Sequence, residues 1–489
     1  MNQPRWNVCS TASRADLLAA WSSCTPGSTL SSVGGRDLVL TTTDAVLLVP
    51  GIMGSELVDV DGTVVWGLSV RALGVAWVTG RMDGLKVTDD DLAGRPRLRP
   101  SRLLRVPAFM PGLHGIEPYT ALLRRLSDEV AIDPRAVGEF AYDWRLSVEY
   151  NGKLLAKRCS EHLDNWRAIV ASEGYADPAE VRIVLVAHSM GGLVARYATE
   201  VENARALVRR IVTLGTPYFG AVKAVQMLAT GQGAPIPQRA ARRIAVTSPG
   251  VYDLLPRYKC VTAHTGTTDA ATVPLRLLKP DDVAAVGASR QLAAEASDRS
   301  SRLDQAAGAE SAVPISVLVG ADQPTLQSLS ISSGGCHFER TLLGIDHGGD
   351  GTVYRQAAAP LGATAFPLPQ RHGALAKVAE AITFVRDKLI GADTGPPLGT
   401  RPIGLDLPSA ARAGQVIDVE VSGTGDPVGV QVTSTDLDTG ARTSWAAGTP
   451  RHGSLLFTRA GLRPGLHRVE VKAGGFSAVS ELILVWAMQ

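Results

Sequence analysis

A serine stands where an apolar run ends and a pair of glycines begins, in VLVAHSMGGLVARY from Val184 to Tyr197. A serine between a buried strand and a helix can act as a nucleophile, because the sharp turn exposes its hydroxyl at the start of the helix. The residues two positions before and after it must be small, and here they are Ala187 and Gly191. The pattern predicts covalent catalysis by Ser189, although the same residues would also suit a purely structural turn.

A nucleophilic serine needs a base and an acid, which follow it in the order acid and then histidine. His372 lies in LPQRHGALAKVAEAI, in a loop directly before the last predicted helix of the α/β region, and is the predicted base. Two acids precede it. Asp322 follows the predicted strand ISVLVG, and Asp350 lies in the glycine-flanked loop HGGDGTV. A position directly after a strand slightly favours Asp322, and the residues alone leave the choice open.

Backbone amides beside the serine are candidates for an oxyanion hole. Pro50 and Gly51 end the early strand DAVLLVPG, so the amide of Ile52 can turn inward. The amide of Met190 follows the serine at the start of a helix, where free N–H groups and the helix dipole favour negative charge. We therefore predict these two amides as oxyanion donors.

The elements that must position these residues follow a repeated pattern. Continuous Val, Ile and Leu runs alternate with amphipathic helices, which is typical of a mostly parallel sheet with helices on both faces. With the serine turn, this predicts an α/β-hydrolase fold over residues 41–392, preceded by an N-terminal segment, residues 1–40. Residues 56–112 have no regular pattern and are predicted as a lid insertion. Residues 221–310 are helix-like without a clear strand and are predicted as a cap insertion.

The composition changes in GADTGPPLGTRP, and residues 393–402 are predicted as a linker. Beyond it the apolar residues recur with a period of two in IDVEV, VGVQVTS, HRVEVK and SELILVW, with turn residues between these runs. This predicts a C-terminal all-β, immunoglobulin-like sandwich over residues 403–489. A protein partner or self-association is the function we consider for it.

The composition also limits the class of function. A net charge of +2 over 489 residues gives no electrostatic argument for nucleic-acid binding. The five cysteines are scattered, with no metal-type spacing, which predicts free thiols in a reducing compartment. Covalent catalysis by a serine implies no metal or organic cofactor. The N-terminus has no signal-peptide pattern, and no stretch of about 20 apolar residues occurs. We expect a cytoplasmic protein whose membrane contact, if any, is peripheral.

Several motifs together resemble the lecithin:cholesterol acyltransferase family of the α/β-hydrolase superfamily. VPGIMGSEL, YDWRLS, VAHSMGG, LGTPYFGA, SPGVYDLLP, GDGTV and RHG occur in the family's order, over roughly residues 44–390. The resemblance implies that Ser189 is the nucleophile and His372 the base. It also implies that Asp350 is the acid, because the family's GDGTV-type loop matches Gly349–Val353.

The resemblance further implies oxyanion donors at Ile52 and Met190, and places Trp66 at the family's lid tryptophan, which contacts acyl chains. The family includes phospholipases with transacylase activity. The resemblance therefore implies a serine acyl-ester hydrolase or acyltransferase that forms an acyl-enzyme. Its expected substrates are lipid esters, in particular phospholipids. A soluble carboxylesterase and a catalytically inert binding module are the alternatives.

Overall fold

The computed structural model describes residues 28–31, 39–67, 81–104, 119–233, 236–262, 274–307, 313–332, 335–392, 403–424, 429–451, 453–473 and 478–486. Most of the predicted N-terminal segment and all of the predicted linker lie outside these residues. Parts of the predicted lid and cap insertions lie outside them as well.

Strands of the α/β region fall into a central sheet and three smaller sheets. Their bounds are β1 Ser28–Ser31, β2 Val39–Thr42, β3 Ala45–Val49, β4 Ser55–Val58, β5 Val64–Trp66, β6 Arg99–Leu103, β7 Val137–Glu139, β8 Ile183–His188, β9 Val208–Leu214, β10 Val261–Thr262, β11 Leu275–Arg276, β12 Ile315–Gly320, β13 Ser328–Ser332, β14 Gly335–Glu339 and β15 Ala365–Leu368.

The central sheet has six strands in the order β15-β12-β9-β8-β3-β7, and each neighbouring pair is parallel. Every residue of β3 and β8 is buried, as expected for strands covered on both faces. Val49 pairs with Ala187 at the ends of these two strands, so the loops that follow meet at one edge of the sheet. The predicted α/β-hydrolase fold with a mostly parallel sheet is confirmed.

Helices cover both faces of this sheet. The helices of the α/β region and its insertions are α1 Asp89–Leu92, α2 Thr120–Arg125, α3 Val148–Glu173, α4 Met190–Glu200, α5 Val222–Thr230, α6 Gln238–Ala245, α7 Pro249–Tyr252, α8 Pro280–Ala285, α9 Arg290–Ala307 and α10 Ala379–Ile390. Helices α3 and α4 bury apolar side chains against one face, and α2 and α10 against the other. Among the described residues, no helix combines the length and apolar character that crossing a bilayer requires.

The lid and cap insertions contain strands that the sequence pattern does not predict. In the lid, β4 pairs with β5 and β6 in a three-stranded sheet. In the cap, β10 and β11 join β13 and β14 in a four-stranded sheet. The expectation of a cap without strands is therefore wrong on this point, because strands of two residues are too short to show a period.

The C-terminal strands are β16 Gly404–Asp406, β17 Ala410–Arg412, β18 Ile417–Ser422, β19 Gln431–Asp436, β20 Arg442–Ser444, β21 Thr449–Arg451, β22 Ser454–Arg459, β23 Gly465–Lys472 and β24 Val479–Trp486. They form a four-stranded sheet, β16-β18-β22-β21, and a five-stranded sheet, β17-β24-β23-β19-β20. Both sheets contribute to one apolar core, in line with the predicted all-β unit. The described pairs are antiparallel except that of β17 with β24. Residues 403–486 are called the sandwich below.

Candidate active site

Ser189 lies at the junction of β8 and α4 in a backbone conformation that residues with a side chain rarely adopt. Its φ is 53° and its ψ is −126°, as expected for a sharp strand-to-helix turn. The turn is crowded. A Cβ atom on Gly191 would lie 2.4 Å from the carbonyl oxygen of Pro50, and one on Gly192 would lie 2.0 Å from Oγ1 of Thr216. Packing therefore requires both glycines, and the turn they permit presents the serine hydroxyl at the sheet edge.

His372 follows β15 and lies between the serine and an acid. Its Nε2 is 2.8 Å from Ser189 Oγ, and its Nδ1 is 2.6 Å from Asp350 Oδ2. When Nδ1–H donates to the carboxylate, Nε2 carries no proton and can accept one from the serine. The structure thus brings the three predicted residues together in the hydrogen-bond order of a Ser-His-Asp triad.

Several donors fix the carboxylate of Asp350. Its Oδ1 accepts the backbone N–H of Thr352 at 2.9 Å and that of Val353 at 2.7 Å, while its Oδ2 faces His372. Burial by itself raises the pKa of Asp350, but the attraction of the imidazole and these hydrogen bonds outweigh burial and hold the pKa below its ordinary value. Asp350 therefore remains charged in neutral solution and acts as a fixed acceptor.

The alternative acid, Asp322, does not reach the histidine. It lies after β12, is exposed, and has a φ of 60°. Gly320, at the end of the same strand, makes room for Asp350, since a Cβ atom there would lie 2.2 Å from the Asp350 Cβ. The sequence preference for the acid directly after a strand does not hold, because the loop after β14 returns to the same edge and places Asp350 against His372 instead.

The two predicted oxyanion donors belong to segments that contact or adjoin Ser189. Gly51, which precedes Ile52, packs so closely that a Cβ atom on it would lie 2.9 Å from Ser189 Cβ. Met190 is the first residue of α4, so its N–H is among the amides that a helix leaves without an intrahelical acceptor. The side chain of Ile52 lines the same cavity as Ser189. Both positions fit the predicted role, which stays a prediction.

A second histidine and a tyrosine, which no sequence pattern singles out, also contact the site. Burial, reinforced by repulsion from His372, lowers the pKa of His188 to about 3, so the ring is neutral. Its Nδ1 lies 3.0 Å from Tyr119 Oη and its Nε2 lies 3.1 Å from the carbonyl oxygen of His372. We assign the tyrosine O–H as the donor to Nδ1 and Nε2–H as the donor to the carbonyl. The Tyr119 oxygen also accepts the N–H of Gly51 at 2.8 Å.

This network joins the loop that carries Ile52 to the loop that carries His372. A usable signal was present in the sequence, since His188 is a polar residue at the end of a buried strand and must find partners there. Its partner Tyr119 could not be identified in the same way, because it lies 69 residues away in the chain.

We expect Tyr119→Phe to lower kcat about tenfold with little change in KM. The change leaves the Gly51 N–H and His188 Nδ1 without a partner, at a cost of about 1–3 kcal/mol, and loosens both loops. Steady-state hydrolysis of a p-nitrophenyl ester measures both constants. Tyr252→Phe is the matched control. Like the Tyr119 hydroxyl, the buried hydroxyl of Tyr252 accepts one backbone N–H and donates one hydrogen bond, but its partners lie within the cap. An equal loss of kcat in both variants would show that Tyr119 does not position the site.

An apolar cavity of about 340 Å³ opens onto Ser189 and His372. Lid, cap and sandwich all contribute side chains to its wall, among them Trp66, Leu104, Met227, Leu254 and Leu482. The cavity has the size range of small-molecule sites, and its apolar lining suits an aliphatic chain.

Trp66 is both anchored and part of this wall. Its Nε1 donates to the carbonyl oxygen of Met53 at 3.0 Å, and its ring packs edge-on against Trp144 with the centroids 5.5 Å apart. The side chain is therefore held in one place beside the cavity. A contact between Trp66 and an acyl chain stays a prediction.

Comparison with known proteins points to the family that the motifs resemble. The family model described as lecithin:cholesterol acyltransferase matches residues 118–296. Phosphatidylcholine-sterol acyltransferase of Gallus gallus is 25% identical over 239 residues, which are 42% of this chain and 55% of that protein. The chain thus spans about half the length of this curated relative. The predicted resemblance is confirmed.

Two solved structures are similar at a greater distance. The Tle4–Tli4 complex contains a chain that is 17% identical, with a TM-score of 0.48, and the match covers 71% of this chain and 97% of that chain. The mature lipase BlEst2 of Bacillus licheniformis is 14% identical, with a TM-score of 0.35, and the match covers 74% of this chain and 96% of that chain.

Proposed function

We propose that this chain, which matches the lecithin:cholesterol acyltransferase family over residues 118–296, is a serine enzyme that removes acyl groups from lipid esters and passes them to water or to an alcohol. One observation carries the proposal. The hydrogen-bonded Ser189, His372 and Asp350 open onto an apolar cavity. A nucleophile with its base and acid at the mouth of an apolar site favours attack on an ester whose acyl part is aliphatic.

The reaction then follows from the hydrogen bonds. Nε2 of His372 takes the Ser189 proton as Oγ attacks the carbonyl carbon, and the carbonyl oxygen becomes an oxyanion facing the amides of Ile52 and Met190. Asp350 stabilises the imidazolium. The C–O bond to the alcohol part breaks, and the departing oxygen takes the proton from Nε2. Water or a second alcohol attacks the acyl-enzyme by the same steps, and Ser189 recovers its proton.

The cavity lining supports lipid esters as the substrate class. Each methylene buried in an apolar wall contributes about 0.8 kcal/mol, so such a cavity favours long acyl chains over short ones. Phospholipid is the substrate we propose first, because the curated relative is a phosphatidylcholine-sterol acyltransferase. A phospholipid substrate also implies a peripheral membrane contact. The cytoplasmic location and a protein partner for the sandwich stay predictions.

Phosphatidylcholine vesicles, offered with and without a long-chain alcohol, test this function. We expect the purified full-length protein to release fatty acid and lysophospholipid from the vesicles, and to form a new ester when the alcohol is present. Mass spectrometry of the extracted lipids measures all three products at once, with Ser189→Ala as the blank. Cleavage of p-nitrophenyl butyrate without any phospholipid product would favour the soluble carboxylesterase. No acyl product from either substrate would favour the inert binding module and overturn the proposal.

A further inference from the structure

Strand β24 of the sandwich is apolar on both of its faces. Ile483 and Val485 are fully buried in the core between the two sheets. Leu482 and Leu484 alternate with them and so point to the opposite face, where Leu484 packs with Leu466 in a separate apolar cluster. The outer face of a sandwich strand is usually polar because it meets water. The leucines on this outer face therefore indicate that the strand faces something other than water.

The outer face of β24 borders the active-site cavity. Leu466, Leu482 and Leu484 line the same cavity as Ser189 and His372. Leu484 is 7% exposed and Leu466 is 8% exposed, so these two side chains are almost completely shielded from water. The cavity would lose one side of its wall without the sandwich.

Polar contacts fix this wall relative to the catalytic histidine. Arg371, the neighbour of His372, forms an ion pair with Glu481 of β24 at 2.7 Å and also donates to the carbonyl oxygen of Leu405. Burial by itself raises the pKa of Glu481, but attraction to Arg371 outweighs it and lowers the pKa, so the pair is charged. The amide of Gln370 donates to the carbonyl oxygen of Ala478 at 2.8 Å.

A second contact ties the sandwich to the loop after β12. The side chain of Gln323 donates to the carbonyl oxygen of Ile403 at 2.9 Å and accepts the N–H of Leu405 at 3.1 Å. Gln323 also bridges to Asp350 through the backbone. The loops that carry Asp350 and His372 are thus both linked to the sandwich. These links hold the leucines of the sandwich at a fixed distance from the reacting atoms.

We propose that the sandwich is part of the acyl site, and that Leu466, Leu482 and Leu484 set the length of the aliphatic chain that the site accepts. The proposal rests on the proposed function, since it describes the same cavity. A larger side chain on this wall should shorten the space for the chain, and a smaller one should lengthen it. Each methylene of the acyl chain that no longer fits in the cavity should lower kcat/KM roughly fourfold.

A series of p-nitrophenyl esters that differ only in the acyl chain tests this proposal. We expect Leu482→Trp to lower the ratio of kcat/KM on laurate to that on butyrate by about tenfold or more. Leu482→Ala should raise the same ratio. Leu456→Trp is the matched control, because this half-buried leucine lies on the other sheet and outside the catalytic cavity, and its ratio should stay unchanged.

The outcomes separate the two proposals. Unchanged ratios in a folded, active Leu482→Trp protein would overturn the role of the sandwich, and would mean that the chain lies elsewhere in the cavity. No hydrolysis of any ester by the parent protein would instead count against the proposed function. Thermal unfolding shows whether Leu482→Trp is folded. If it is not, the ratio in Leu482→Ala decides, and a ratio equal to the parental one would overturn the inference.

Discussion

Ser189→Ala is expected to lower kcat on every ester by a factor on the order of 10⁶. Without Oγ no acyl-enzyme can form, and His372 has no proton to accept, so only the oxyanion amides and substrate positioning remain. Substrate binding should change little, because the cavity wall is untouched. Steady-state rates measure the loss. A fluorophosphonate probe, detected by intact mass, should add to the parent protein and not to the variant.

Three further variants make this result specific. His372→Ala should cost about as much as Ser189→Ala, and the double variant should cost little more, because the residues act as one unit. Ser248→Ala is the matched control, since this buried serine donates only to the carbonyl oxygen of Ile244 at 2.8 Å, within the cap. A folded Ser189→Ala protein with a kcat near that of the parent, or one that still reacts with the probe, would refute the assignment of the nucleophile.

The parts of the site that sequence could predict are those fixed by local geometry. The turn around Ser189 needs small residues on both sides, and these can be read directly from the sequence. The continuous apolar runs of β3 and β8 predict buried parallel strands for the same reason. His372 could be predicted because it directly precedes the last helix of the α/β region. Each of these features depends on residues a few positions apart.

The remaining features depend on distant parts of the chain. The choice between Asp322 and Asp350 depends on where a loop returns, and on the space that Gly320 leaves there. The contact of Tyr119 with Gly51 joins residues 68 positions apart. Pairings of this kind are formed by the packed fold, and neither period nor composition encodes them.

The wall formed by the sandwich was missed for a different reason. SELILVW is predicted above to alternate with a period of two, but its residues from Leu482 to Val485 are all apolar. An unbroken apolar run indicates a strand covered on both faces, as it does for β3 and β8. The signal was therefore present, although it does not reveal what covers the second face.

Asp350→Asn is expected to lower kcat by a factor on the order of 10⁴ with little change in KM. The asparagine oxygen can still accept the N–H groups of Thr352 and Val353, so the loop should keep its shape. The amide NH₂ then takes the place of Oδ2, and it donates to Nδ1 where the carboxylate accepted. Nδ1 must therefore lose its proton, and Nε2 carries one and cannot accept the proton of Ser189. The neutral amide also lacks the negative charge with which Asp350 stabilises the imidazolium.

Asp322→Asn is the matched control, because it makes the same chemical change on an exposed carboxylate in the loop after β12. We expect its kcat and KM to equal those of the parent protein. Thermal unfolding of both variants checks that the loss in Asp350→Asn is not a loss of fold. Parental activity in Asp350→Asn, together with a large loss in Asp322→Asn, would mean that the exposed acid moves onto His372 during the reaction. The hydrogen bonds that fix Asp350 in its loop argue against that exchange, since moving Asp350 away would leave the buried N–H of Val353 and the partly buried N–H of Thr352 without an acceptor.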